Sequence, residues 1–188
     1  MIVVDAQRAF FIDGRVVANA TAVIQHIADL IRRARLAGAL VVHLQNFGPY
    51  DAIDAPGTAG WELVTLVVEG PTESVIRKSS DDGFDGTGLA ALLDAGSVRR
   101  LAICGVTSEM CVSATARSAL ARGLDVVVPH DAHSTYDIEA VPGMSEAIPA
   151  AHVARAAEWA LGDQVEIVAR AADVNFTQVP SPTTTIEQ

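Results

Sequence analysis

Three observations predict a single-domain, three-layer α/β/α fold on a six-stranded, mainly parallel, Rossmann-like sheet. Short β-branched runs alternate with segments of helical period, the pattern of right-handed βαβ crossovers. Glycines stand where the helical periods end. The chain of 188 residues is half apolar and only 19% charged, enough for one sizeable core.

Residues 1–5 (MIVVD) are a buried strand. Residues 19–36 are a helix, because Val23, Ile24, Ile27, Leu30, Ile31 and Ala34 repeat at three and four. Arg32, Arg33 and Arg35 lie at its end, where the helix dipole favours cations, and Gly38 stops it. ALVVHL (39–44) is the second strand. Residues 45–73 hold four Gly and three Pro with little period, a long connection of the kind that is usually functional. SVIRK (74–78) is the third strand, and residues 86–95 are a helix closed by Gly96. LAICGV (101–106) is the fourth strand, followed by a helix over 109–122 that ends at Gly123. LDVVVP (124–129) is the fifth strand, 146–161 an Ala-rich helix, and VEIVA (165–169) the sixth strand. The domain spans 1–176. Residues 177–188 (TQVPSPTTTIEQ), polar with two prolines, read as a C-terminal tail that would suit a subunit contact.

Composition narrows the function. A net charge of −10 speaks against nucleic acid, which needs clustered Lys and Arg, and suits a cationic ligand. No run approaches the roughly 20 apolar residues of a membrane helix, and the N-terminus lacks a basic stretch before its apolar one. Two cysteines make no disulfide framework, so the expected location is a reducing cytoplasm. No glycine-rich phosphate loop follows a strand, and no cofactor is expected.

Ligands of such sheets bind beyond the carboxyl ends of the strands. There the chain places Asp5 after the first strand, Lys78 at the end of the third, and Cys111 in the first turn of the helix after the fourth. A thiol at a helix N-terminus beside a lysine is favoured as thiolate. Asp5 can take its proton and later give it to a leaving amine. The N–H groups of the 105–111 turn can hold the oxygen of a tetrahedral intermediate. Together these parts describe acyl transfer through a thioester. Cys104, within a strand, reads as core. Two other classes compete. A redox pair of Cys104 and Cys111 lacks the C-x-x-C spacing. A catalytically silent binding protein on the same fold needs no reactive thiol.

Several side chains near this edge are candidates for substrate binding: Gln7, Phe10, Trp61, Phe84 and Tyr136. Aromatics on loops above a sheet edge can hold a planar amide or ring. Phe47 and Tyr50 lie in the same long loop.

The same residues carry a family resemblance. Asp5, Gln7 and Phe10 match a D-x-Q-x-x-F opening, and Gly57 to Leu63 is similar to a G-T-x-G-x-E-L segment. Val75 to Lys78, Phe84 to Leu89, the turn Gly105 to Val112, and Asp131 with Ala132 follow in order. In these motifs, from Val3 to about Ala169, the chain resembles the isochorismatase-like cysteine hydrolases, which include nicotinamidases and carbamoyl amidases. The resemblance implies an Asp5–Lys78–Cys111 triad. It also implies a cis peptide between Val106 and Thr107, with the N–H groups of Thr107 and Cys111 as the oxyanion hole. Nicotinamidases resemble one another in a D-x-H metal segment after the second strand. Here that loop, QNFGPYDAIDAP, has Asp51 and Asp54 but no His, so no metal is expected there. Isochorismatases proper cleave a vinyl ether without a cysteine nucleophile, so Cys111 points to C–N bonds instead. The segment from Arg99 to Ala121, with DAHSTYD and His152, looks most like the streptothricin-hydrolase-like subgroup, which opens a cyclic amide. Other small amides, such as nicotinamide or carbamoyl compounds, are the alternative substrates. The resemblance further implies a homodimer or higher homo-oligomer.

Overall fold

The computed structural model describes residues 1–176, and the 177–188 tail lies outside the described residues. The strands are β1 (Ile2–Val4), β2 (Val41–Asn46), β3 (Glu73–Lys78), β4 (Arg100–Val106), β5 (Asp125–Pro129), β6 (His133–Ser134) and β7 (Val165–Val168). Every pairing is parallel, in the order β3-β2-β1-β4-β5-β7, with β6 paired to β4. All six predicted strands are in the sheet. The seventh, β6, has two residues, too few to show a period.

Alternation along the strands makes two cores. Val3, Val41, Ala102, Cys104 and Val127 face α2 (Ala20–Leu36), which buries Val23, Ile27, Leu30, Ile31 and Ala34 against them. Ile2, Val4, Val42, Leu44, Leu101 and Ile103 face the other way, onto α3 (Leu89–Ala95) and α4 (Ser113–Ala121). Thus β1 is covered on both sides, and its three residues are fully buried.

Helix boundaries differ from expectation in three places. The 86–95 helix begins at Leu89, because Gly86 takes a left-handed backbone with φ +65°. The 146–161 helix is α5 (Ala150–Ala160), which starts immediately after Pro149. Residues before it form an exposed arm closed by the antiparallel bridges Ile138–Ile148 and Val141–Ser145. The 109–122 helix is split: a π-helical turn, Ser108–Val112, precedes α4. A four-residue helix, α1 (Arg8–Phe11), follows β1 and was not expected.

One buried polar cluster ties α2 to the outer strands. Glu73, 3% exposed, accepts two bonds from Arg35 at 2.7 and 2.6 Å and one from His43 at 2.9 Å. Burial pushes the Glu73 carboxyl up, but Arg35 and His43 outweigh it and hold it at about 2. That lies below its ordinary value of 4.5, so its stabilisation is complete above pH 4.5 and is lost as pH falls towards 2. Glu73→Gln should cost about 2–4 kcal/mol at neutral pH. It should also flatten the loss of stability between those pH values. Urea midpoints at pH 7, 4 and 2.5 check this, and an unchanged pH dependence would refute the assignment.

Candidate active site

The strand order sets the carboxyl ends of β3, β2, β1 and β4 side by side. Asp5 follows β1 directly, with its N–H bonded to the Leu44 carbonyl at 2.9 Å. Its φ of 48° is left-handed, an uncommon backbone state that Asp adopts more readily than most residues. Lys78 ends β3, two strands away, and reaches back past β2.

The Lys78 ammonium has three acceptors for its three protons: Asp5 Oδ2 at 2.8 Å, Ser80 O at 3.1 Å and Cys111 Sγ at 3.3 Å. Asp5 is 2% and Lys78 3% exposed, so this is a desolvated cluster. Asp5 Oδ1 is buried and has no hydrogen-bond partner among the described residues, an open acceptor in the same site. Cys111 Sγ also lies 3.5 Å from Asp81 Oδ1.

The turn carrying Cys111 is placed by close backbone approach. Gly105, with φ +122°, runs so near β1 that a Cβ there would lie 2.0 Å from the Val4 carbonyl oxygen. No side chain fits, and the next peptide, Val106–Thr107, is cis. The π turn follows, with Val112 N–H bonded to Thr107 O at 3.2 Å. Behind it, Ser113 Oγ donates to the Ser108 carbonyl at 2.7 Å.

Electrostatics correct one expectation. Burial raises the Cys111 thiol strongly, the Asp5 carboxylate raises it further, and Lys78 opposes both without prevailing. Burial and the Asp5 carboxylate thus favour the neutral thiol, against the thiolate expected from the helix end and the lysine. Burial also raises Asp5 above its ordinary value, although Lys78 pulls the other way. For Lys78, burial lowers the pKa, but Asp5 and Cys111 outweigh it and keep the ammonium.

The five expected substrate-binding side chains are placed unequally. Gln7 is fully buried, and its amide is used on backbone: it donates to Asn46 O and Trp61 O and accepts from Asn46 N–H. It fastens the long loop to β1. Phe84 is core, packed with Leu89, Leu93 and Val112, with Arg122 over its ring at 4.4 Å. Neither presents a free surface to a ligand, because hydrogen bonding and packing have already consumed both. Phe10, Trp61 and Tyr136 are half-buried. Arg77 lies over Trp61 at 5.0 Å and Arg15 over Tyr136 at 4.8 Å. Phe47 and Tyr50 are exposed, Tyr50 almost completely. Cys104 is in the core, its thiol pushed up to about 12 by burial.

Sequence reasoning missed two carboxylates. Asp81, three residues after Lys78, touches the thiol. Asp54 is buried, held by Asn46 Nδ2 at 2.6 Å, and its charge is felt by Asp5 and Tyr136. The signal for both was an acid in a loop that leaves a strand at the ligand-binding edge.

Comparison with known proteins identifies the family of the chain. The Isochorismatase domain model matches residues 1–158. Two relatives from Streptomyces noursei, each described as streptothricin hydrolase, are 59% identical over 180 residues and 58% over 182. The alignments cover 96% and 97% of this chain but only 65% and 72% of those proteins, so the chain spans about two thirds of their length. The crystal structure of an isochorismatase from Pseudomonas putida superposes with a TM-score of 0.83 at 26% identity, over 93% of this chain and 88% of that one. The chain belongs to the isochorismatase family.

Proposed function

We propose that the chain is a cysteine-dependent hydrolase that cleaves the C–N bond of a small amide or lactam through a thioester. The observation that carries this reading is the buried convergence of Asp5, Lys78 and Cys111, with Asp5 Oδ1 left open. Asp5 takes the thiol proton as Sγ attacks the carbonyl carbon. Lys78 stays an ammonium, fixing the carboxylate and steadying the thiolate. The N–H groups of Thr107 and Cys111 receive the oxyanion. Asp5 returns the proton to the departing amine, then activates the water that hydrolyses the thioester. A resting thiol beside an ionisable Asp5 suits this order, since the proton moves only when substrate excludes water.

A streptothricin-type cyclic amide is the proposed substrate, supported by the two Streptomyces relatives and by the acidity of the chain. Phe10, Trp61 and Tyr136 would form its walls. We place the enzyme in the cytoplasm, as a homo-oligomer without a cofactor. Both cysteines are free, in keeping with a reducing compartment. Among the described residues no helix is long and apolar enough to cross a membrane. Light scattering that reads a monomer would reject the oligomer.

The test is product analysis with a streptothricin, small amides, ureas and lactams. Ring opening by addition of one water supports the full reading. Turnover of other amides alone removes the substrate and keeps the amidase. No turnover, with Cys111 inert to alkylation, removes both.

The acid limb of kcat/KM gives a further check. Asp5 must be ionised to act as base, and burial raises its pKa above 3.8. Activity should therefore rise with pH through a value above that of an ordinary aspartate. A limb near 4 would contradict a buried base.

A further inference from the structure

A second cluster of ligating side chains lies on the other side of the nucleophile turn. His130 is in the 3₁₀ turn His130–Ala132 after β5, His133 is in β6, and Glu158 is in α5. His130 Nδ1 stands 2.5 Å and His133 Nε2 2.9 Å from the same oxygen, Glu158 Oε1. The three donor atoms all lie within 4.8 Å of one another. The side chains of His133 and Glu158 are 1% exposed and that of His130 is 47% exposed.

We propose that His130, His133 and Glu158 form a binding site for one divalent transition-metal ion of the zinc class. Two imidazoles and one carboxylate are a recognised zinc donor set, with a fourth position left for water. The orienting contacts are in place. Ser108 Oγ lies 2.8 Å from His133 Nδ1, which aims Nε2 at the site. Arg155 binds Glu158 Oε2 at 3.2 Å, leaving Oε1 for the ion.

The movement required is small. Tetrahedral zinc at about 2.1 Å from each donor holds its ligand atoms roughly 3.4 Å apart. His133 must then withdraw from Oε1 by about half an ångström and His130 by somewhat more. His130 is the exposed member, free to swing, and its open edge is the entry path. With both rings neutral, metal binding releases no net proton. In the absence of metal, each ring donates a proton to Glu158. With metal bound, the proton of His133 sits on Nδ1 and is donated to Ser108 Oγ, while that of His130 sits on Nε2 in solvent.

The test uses the full chain without an affinity tag, carrying Cys111→Ala so that no thiolate competes for metal. Zn²⁺ is titrated calorimetrically, and Co²⁺ uptake is followed by its d–d absorption. The expected result is one ion per chain, with tetrahedral Co²⁺ bands and a thermal midpoint that rises with Zn²⁺. His130→Ala, at an exposed position that leaves folding intact, should weaken binding at least tenfold. Glu158→Gln should abolish it. Absence of stoichiometric uptake, uptake that requires Cys111, or uptake unchanged in both variants would overturn the site.

Discussion

Cys111→Ala is expected to lower turnover by roughly 10⁴-fold or more while substrate still binds. The thiol is the proposed nucleophile, and its removal leaves the Asp5–Lys78 pair joined at 2.8 Å. The pocket should therefore keep its shape, and calorimetry should show substrate affinity close to that of the unaltered protein. Asp5→Asn should be nearly as damaging, since the amide cannot take the proton that burial keeps on Cys111. The double variant should be no worse than the worse single one, because base and nucleophile act as one unit. Initial rates of amine release decide the matter. Residual activity within tenfold in Cys111→Ala would dismiss the thioester route. Independent, multiplying losses would dismiss Asp5 as the base.

The two kinds of periodicity in the chain explain which parts of this site were legible. β1, β2 and β4 carry β-branched runs, so their ends could be located, and with them Asp5 and the turn leading to Cys111. Position along the sequence could not reveal that β3 lies on the far side of β2, with Lys78 spanning that gap. That follows from strand order, which long-range packing decides. The π turn is not legible in the sequence, because Ser108 to Val112 have the composition of an ordinary helix. The backbone just before them is placed by the close approach of Gly105 to Val4, residues about a hundred positions apart. The pull of the site towards the neutral thiol is hidden for a similar reason. Helix position and a neighbouring lysine are visible in sequence, whereas burial is a property of the assembled sheet. Gln7 was read as a ligand contact because its partners, the Asn46 and Trp61 backbones, are brought to it only by the fold.

Lys78→Met should lose both stability and activity, and the two losses should respond differently to pH. The methionine fills similar volume but leaves the Asp5 carboxylate buried without its cation. Breaking such a pair costs about 3–5 kcal/mol. Asp5 already sits above 3.8 because burial outweighs Lys78; without the lysine it rises further. A carboxyl raised in the folded state is least harmful below its unfolded pKa, and its penalty grows as pH climbs towards the folded value. The stability deficit of Lys78→Met should therefore be large at pH 8 and shrink as pH falls towards 4. Urea unfolding of both proteins across that range measures it, and a deficit that does not change with pH would show that packing, not charge, is what Lys78 supplies. Turnover should fall by at least roughly 10²–10³-fold at every pH, the cost of deleting one preorganised charge. Lowering the pH cannot restore it, because the proton that relieves the buried Asp5 is the same proton that disables it as a base.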